Sequence, residues 1–388
     1  MRIVMVGPFG MRPRGTMAVR ALPMAQALTA RGHDVTILLP PWQTPEDSGR
    51  VWVEGGITVE NIPLPPRLPG VFHVLTALRL ARRAIACAPD VVHLFKPKAY
   101  SGLTHNLLAS LPRTARPRLV VDSDDWEGPG GWNAIGGYTP LQRRFFVWQE
   151  RWGLTHADAV TVASRTLESL TWALGVPPAR VFYVPNGARK VAGGRRVPER
   201  VSDRPCVLLY TRFFEFSIER LMGVLQRVWE ACPRMRLLVV GKGLFGGEEE
   251  TLMQMASEAG WGHAIEMAGW VEPEHLADVF SQADVAIYPF DDTLINRAKC
   301  AVKLLDLLTA GVPVVAEAVG QNREMIRHND TGWLVPPGDE AAFAEGILRL
   351  LEEQPLRERL GQAAFHDVHR RFSWQYLVTA VERAYRSK

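Results

Sequence analysis

Apolar residues in this chain fall into two patterns. Short, nearly unbroken runs of Val, Ile and Leu recur at RIVMV (2–6), DVTILL (34–39), DVVHL (90–94), RLVVD (118–122) and DAVTV (158–162). A second series follows at CVLLYT (206–211), RLLVVG (236–241), AIEMAG (264–269), DVAIYP (284–289) and VPVVA (312–316). Runs without alternation predict strands buried on both faces, as in a parallel sheet. The stretches between them carry apolar residues at helical spacing. TMAVRALPMAQALTARGH (16–33) predicts a helix capped by Thr16, stopped by Gly32 and kinked at Pro23. LQRRFFVWQERWGL (141–154) places Leu141, Phe145, Trp148 and Trp152 on one stripe, with Arg143, Arg144 and Arg151 outside or beside it. LTALRLARR (75–83) adds Arg79, Arg82 and Arg83. Two readings of these helices stand. Either the aromatic stripe packs on a sheet and the arginines are solvated, or the basic amphipathic surface attaches to an anionic membrane.

Two strand series imply two α/β units, each a doubly wound parallel sheet, which a length of 388 residues accommodates. NGARKVAGGRRVPERVSDRP (186–205), rich in Gly, Pro and charge, reads as the linker. The expected division is a first domain over 1–187, a linker over 188–203, a second domain over 204–370 and a closing helix over 371–388. Ligands of such sheets bind at the carboxyl ends of the strands, and two facing sheets make a cleft. No run of 18 uncharged apolar residues occurs, and MRIVMVGPFG reads as a strand entering a glycine turn rather than a signal peptide. Four dispersed cysteines without a C-x-x-C pair suit reduced thiols. The net charge of +4 hides an asymmetry, since residues 1–195 carry 23 Lys and Arg against 13 Asp and Glu. That half suits an anionic partner, but it lacks the basic-aromatic motif of a nucleic-acid reader.

Candidate chemistry starts at AKCAVKLLDLLTAGVPVVA (298–316), which sets Lys299 and Lys303 where a new helix should begin. Cations are disfavoured at a helix N-terminus; either both ammonium groups swing into solvent, or an anion joins them, since free N–H groups with a lysine make a phosphate site. No G-x-G-x-x-G follows the first strand, and no P-loop, H-E-x-x-H or G-x-S-x-G is present. Asp122-Ser123-Asp124 imitates a D-x-D metal motif, although the surrounding architecture argues against a metal.

In order along the chain, GPFGMRPRGTMAVRALPMAQALTARGHDVTIL, HADAVTVASRTLESL, VFYVPNGA, YTRFFEFSIERL, LLVVGKG, AGWVEPEHLADVFSQADVAIYPF, KLLDLLTAGVPVVAEAVGQNREMI and TGWLVPPGD resemble the segments of GT-B glycosyltransferases of the GT4 type. FSWQYLVTAVERAY resembles their closing helix, which crosses back onto the first domain. The resemblance implies two facing Rossmann-like domains, an acceptor-binding first and a donor-binding second, and transfer of a sugar from a nucleotide sugar with retention and without a metal. It puts the pyrophosphate on the helix before AGVPVV. Asp306 lies where the family has the second Glu of its E-x7-E pair, which holds the ribose hydroxyls. The first Glu falls at Ala298, so Lys299, Lys303, Asn296 or Asp291-Asp292 would have to replace it. Arg212 matches the arginine that neutralises the pyrophosphate. The family's second cation is missing, with Arg220 the nearest base and Lys303 the other substitute. Glu324 matches a carboxylate near the donor sugar, and base recognition falls near Gly269 and Val271. Gly15 and Thr16, flanked by Arg14 and Arg20, would approach the reacting phosphate. Asp124, with Asp125 after it, takes the place of a His near the acceptor and would hydrogen-bond or help deprotonate its hydroxyl. His93, Lys96 and Lys98 point to the same end, His93 without a catalytic role.

The expectation is therefore a cytoplasmic glycosyltransferase, working in solution or at the inner face of the membrane, with no cofactor or metal. Its partners are a nucleotide-sugar donor, a glycan or lipid-linked acceptor and an anionic membrane surface, with no nucleic acid. The alternatives are a nucleotide-sugar epimerase of the same shape and a catalytically silent sugar-nucleotide-binding subunit.

Overall fold

The structure is a computed structural model that describes residues 1–12, 15–68, 70–189 and 204–387. The chain forms two compact units. The first comprises Met1–Gly187, Ala298–Cys300 and Trp374–Lys388, and the second Ala188–Arg297 and Ala301–Ser373. Most of the expected linker, with Arg14, lies outside the described residues.

Among the described residues, the first unit holds a sheet of β1 (Arg2–Val6), β2 (Asp34–Leu39), β3 (Val51–Glu54), β4 (Ile57–Asn61), β5 (Val91–Phe95), β6 (Arg118–Ser123), β7 (Ala159–Val162) and β8 (Val181–Tyr183), in the order β3-β4-β2-β1-β5-β6-β7-β8. All pairs are parallel except β3 with β4. That hairpin turns through Gly55 and Gly56, both at positive φ, as a two-residue primed turn requires. The runs that predicted strands lack alternation because helices cover both faces. After a π-turn at Met17–Ala21 come α1 (Leu22–Thr29), α2 (Val71–Ala86), α3 (Ala99–Ala109), α4 (Trp132–Ile135), α5 (Pro140–His156) and α6 (Arg165–Ala173). The final helix of the chain, Trp374–Arg386, packs beside α1 and over β6, β7 and β8.

The predicted helix over 16–33 is thus built differently. Thr16 makes no side-chain cap, and Pro23 sits in the first turn of α1, where its missing N–H costs little. The strain expected at Pro23 appears upstream as the π-turn, which swings Arg20 inward. Arg20 is fully buried. Its Nε and Nη2 bind the two oxygens of Asp122 at 2.7 and 2.6 Å, Nη1 binds Asn186 Oδ1 at 3.0 Å, and Nη2 also reaches the Val184 carbonyl at 2.8 Å. Asp122 Oδ2 also accepts from the Thr161 hydroxyl at 2.6 Å. That hydroxyl is 3.1 Å from His93 Nε2, and His93 Nδ1 is 2.9 Å from Tyr385 OH. Because Thr161 spends its proton on Asp122, Nε2 carries the His93 proton and Nδ1 accepts from Tyr385. Burial holds His93 at about 4, with Asp122 opposing and Arg20 reinforcing, which fits this neutral tautomer. His93 is a strut for the last helix.

The same helix explains two sequence motifs. In RGHDV, Arg31 and His33 both grip Glu382, at 2.8 and 2.9 Å, with Gly32 at φ +84° turning the chain between them. In PNG, Asn186 holds Arg20, while a Cβ on Gly187 would strike the Trp374 indole at 2.5 Å.

In the second unit, β9 (Cys206–Thr211), β10 (Arg236–Gly241), β11 (Ile265–Gly269), β12 (Val285–Tyr288), β13 (Val314–Glu317) and β14 (Trp333–Val335) run parallel in the order β11-β10-β9-β12-β13-β14. Between and after them come α7 (Ile218–Ala231), α8 (Glu248–Glu258), α9 (Leu276–Phe280), α10 (Leu294–Ala298), α11 (Val302–Thr309), α12 (Asn322–Met325), α13 (Glu340–Glu352), α14 (Gln354–Arg371) and α15, the final helix already described (Trp374–Arg386). Two apolar layers, one on each face of the sheet, form its core.

Removing Arg20 leaves Asp122 charged and unpaired inside the first unit, at a cost of roughly 3–5 kcal/mol. Arg20→Met should lower stability in urea melts by that order, and Arg20→Met with Asp122→Leu should recover part of the loss. Equal losses in the single and double variants would show that the charge pair is not what holds this region.

Candidate functional site

The strand order of the second unit reverses between β9 and β12, and the carboxyl ends of those strands are where such a sheet leaves a crevice. Arg212 follows β9 directly and is exposed there. Behind it the Phe213 N–H turns back onto Thr211 Oγ1 at 2.8 Å, with Phe213 at φ +65°. Lys303 stands in the first turn of α11, and its ammonium lies 3.6 Å from the centroid of the Tyr210 ring at the end of β9. The N-terminus of α11 therefore lies over the carboxyl end of β9. Its N-cap, Ala301, has no capping side chain, and the Ala301 N–H is taken by Gln321 Oε1 at 2.8 Å.

One turn further along α11, the Asp306 side chain is only 9% exposed. Arg189 Nε approaches its Oδ1 at 3.6 Å, while its Oδ2 is buried with no hydrogen-bond donor. Burial raises Asp306 to about 6, with Arg189 and Lys303 opposing. A buried carboxylate oxygen lacking a donor, with two cations close by, is built to accept hydroxyls next to an anionic group. Gly269 ends β11 at φ +64°, and Val271 packs on the core with Trp270 exposed between them. Glu324, half-buried on α12, stands beyond β13, where its carbonyl accepts from Arg371.

Two expected donor contacts have structural employment instead, and a third lies off the helix. The Arg220 fork is closed on the two oxygens of buried Glu317, at 2.8 and 2.9 Å, and its Nε binds Asp291 at 2.8 Å. Burial works against its charge, but Glu317 and Asp291 raise it further, so this cation is already neutralised. The Asn296 amide donates to the Glu215 and Asp291 carbonyls at 2.7 and 2.9 Å, bracing the loops after β9 and β12. Lys299 lies in the turn between α10 and α11, so only Lys303 stands in the helix's first turn.

In the first unit the strand order reverses between β1 and β5. Gly15 and Thr16 lie in the loop after β1. Among the described residues, a Cβ on Gly15 would meet only Val19, at 3.6 Å, an ordinary contact. Arg20, expected beside them, points inward to Asp122. After β5 and β6 a dense cluster forms. Lys96, at φ +61°, places its ammonium 3.1 Å from Asp124, 2.6 Å from Asp125 and 3.6 Å from Glu127. Lys98 pairs with Glu127, reaches Tyr138 OH at 3.2 Å and sits 4.6 Å from the rings of both Tyr138 and Phe146. Burial lifts Asp124 to about 6, its acidic neighbours Asp125 and Asp122 adding to the rise and Lys96 and Arg20 opposing it. A carboxyl of that kind at a strand end can accept or return a hydroxyl proton near neutrality.

Beneath the cluster, Glu150 accepts from the Glu127 N–H at 2.9 Å through one oxygen, and its other oxygen is buried without a partner. Burial raises it well above the ordinary range, with the Glu127 N–H opposing and the Glu127 charge adding to the rise. Sequence reasoning missed Glu150, Glu127 and Arg189. The signal for Glu150 was its position on α5 opposite the aromatic stripe; Arg189 gave none.

Comparison with known proteins places these features in a family. Residues 15–187 match the model of the glycosyl transferase 4-like domain, and residues 195–367 match that of the glycosyl transferases group 1. The chain is 26% identical over 396 residues to a phosphatidyl-myo-inositol mannosyltransferase of Mycobacterium leprae, covering 99% of this chain and 96% of that one. Among solved structures, sucrose-phosphate synthase from Thermosynechococcus elongatus superposes with a TM-score of 0.74 at 20% identity, covering 99% and 98% of the two chains. Anabaena HepE in complex with UDP and glucose gives 0.70 at 16% identity, covering 98% of each.

The raised Glu150 carboxyl sets a pH dependence. The fold keeps a proton that the unfolded chain gives up above its ordinary carboxylate value, so this contribution is whole in acid and is lost as pH rises. Asp124 acts with the same sign up to about 6. Glu150→Gln keeps the hydrogen bond without the proton. Its melting temperature relative to the native protein should therefore climb as pH rises above the ordinary carboxylate range, and a constant difference would show that Glu150 is ionised in the fold.

Proposed function

The chain belongs to the GT4-type glycosyltransferases of GT-B fold, and from that premise we propose that it transfers a sugar from a nucleoside diphosphate sugar to a hydroxyl of a glycan or lipid-linked acceptor, with retention and without a metal. The observation that carries the donor half is the unpartnered Oδ2 of Asp306, held beside Arg189 and Lys303 at the switch point of the second sheet. Asp306 takes the ribose hydroxyls. Arg212, Lys303 and the first N–H groups of α11 take the diphosphate charge that grows as the bond to the sugar breaks. That HepE was solved with UDP and glucose supports a nucleotide at this kind of fold.

In the first unit, Asp124 and Asp125 hydrogen-bond the acceptor hydroxyl, with Lys96 fixing both carboxyls and Asp124 poised to hold its proton. The name of the mycobacterial relative supports a polyol on a lipid as one acceptor class. Independence from metal rests on the employment of the D-x-D segment, since Asp122 is spent on Arg20 and Thr161, and Asp124 is paired with Lys96. Ala298 and the closed fork of Arg220 favour a second reading, a subunit that binds nucleotide sugar without turnover.

Turnover separates the readings. Given a UDP- or GDP-sugar, the protein should slowly release free nucleoside diphosphate, and should do so equally in EDTA. Loss of release in EDTA with rescue by Mn²⁺ would make the transfer metal-dependent, and binding without release would establish the silent subunit. Lys303→Ala and Asp306→Asn should each weaken nucleoside diphosphate binding by about tenfold or more, as a charged hydrogen bond is worth roughly 1.5–3 kcal/mol. Native affinity should rise as pH passes upward through about 6 and Asp306 ionises, while the Asp306→Asn variant should bind with no such rise. Calorimetry showing unchanged affinity in both variants would move the donor elsewhere.

A further inference from the structure

Helix α5 is amphipathic with its apolar side turned outward. Its buried residues are Gln149, Glu150, Gly153 and Leu154. Gln149 clamps the Ala99 backbone with both ends of its amide, at 2.8 and 3.0 Å, and Glu150 holds the Glu127 N–H. The polar and small side of the helix therefore faces α3 and the loops after β5 and β6. The stripe that periodicity would send inward is left outside, with Leu141 79% exposed, Trp148 49% and Phe145 38%. The rings form a ladder along the helix, Phe145 to Trp148 at 5.8 Å, Trp148 to Trp152 at 6.3 Å and Trp152 stacked on His156 at 4.4 Å. The reading in which this stripe packs on the sheet is thereby overturned.

A contiguous exposed apolar patch marks an interaction surface, and the charge around it says what kind. Arg144 and Arg151 lie along one side of the stripe at helical spacing, and Arg143 is exposed at the same end. None of the three forms an ion pair among the described residues. Between Phe95 and Val121, and again between Gly128 and Gln149, the sequence has no Asp or Glu, so α3, α4 and α5 together carry one carboxylate, the buried Glu150. Two copies meeting through this face about a two-fold axis would set the same arginines against each other. An anionic sheet of phosphates above a hydrocarbon layer complements both features: aromatic rings settle at the boundary and arginines reach the headgroups. The basic α2, which the sequence offered as a second contact, does not join in. Its Arg83 is paired with Glu60 at 2.8 Å, and Arg79 donates to the Pro63 carbonyl at 2.8 Å.

We propose that α5 seats this protein on anionic lipid bilayers, with Leu141, Phe145 and Trp148 entering the interface and Arg144 and Arg151 binding lipid phosphates. The proposal is independent of the donor and acceptor assignments, because none of these side chains belongs to either cluster.

Sedimentation with vesicles tests it on the whole chain. Binding should be weak on phosphatidylcholine alone, strong on an equimolar mixture with phosphatidylglycerol, and should fall as salt rises. Arg144→Ala and Arg151→Ala should each weaken binding to the mixed vesicles about fivefold, and Arg144→Glu by more. Phe145→Ala with Trp148→Ala should abolish it, while nucleoside diphosphate affinity, measured by calorimetry, stays at the native value and certifies the fold. Absence of native binding to mixed vesicles at low salt would overturn the proposal. So would binding that ignores these substitutions. A dimer in sedimentation velocity that the aromatic double variant dissolves, without vesicle binding, would assign the face to a second copy instead.

Discussion

A guanidinium buried in a protein has to find its counter-charge inside the fold, and the fold around it has to keep that partner in place. In the first unit this constraint is Arg20 on Asp122. It fixes the π-turn after β1, the carboxyl end of β6, the Asn186 side chain of the PNG segment, and, through Thr161 and His93, the Tyr385 hydroxyl of the closing helix. The second unit repeats the device. Arg220, on the helix after its first strand, closes on Glu317 at the end of its fifth, and Glu317 in turn receives the Phe290 and Gly338 N–H groups. In both units the Arg sits after the central strand of the sheet and the acid two strands away, with a single strand between them. The two forks brace the loops where ligands bind such sheets, and they are not themselves available to a ligand.

This explains which parts of the fold the sequence made legible. The long Val and Ile runs announce buried parallel strands because helices cover both faces, and each of them is a strand. The short strands β3, β4, β8 and β14 escaped notice: β3 is an exposed edge, β4 (ITVEN) breaks its apolar residues with polar ones, and β8 and β14 are three residues long. Local spacing cannot reveal a pair formed at long range. Arg220 and Glu317 are 97 residues apart, and Arg20 and Asp122 are 102 apart. Both arginines therefore read as candidate phosphate ligands until their partners are seen.

The proposed donor site was easier to read than the proposed acceptor site for a related reason. Lys303 and Asp306 share one short helix, so a single turn of sequence displays the cation and the carboxylate together. The acidic cluster of the first unit is assembled from the ends of β5 and β6 and from the middle of α5, and its chemistry depends on burial. Asp124 is ordinary in sequence and is raised to about 6 because it is buried beside two further carboxyls, with Lys96 opposing the rise. On α5 the periodicity correctly located a stripe but could not say which side the protein would cover. Hydrogen bonds from Gln149 and Glu150 decide that, and they turn the aromatic side outward.

The central claim is that the second unit presents a nucleoside diphosphate site at the β9 and β12 switch point. Thermal denaturation of the intact chain with UDP, GDP and ADP in turn addresses it most directly, because a ligand that binds only the native state raises the melting temperature with its concentration. The account predicts a dose-dependent rise with one of the three, retained in EDTA. No rise with any of them, at concentrations up to the millimolar range, would contradict it.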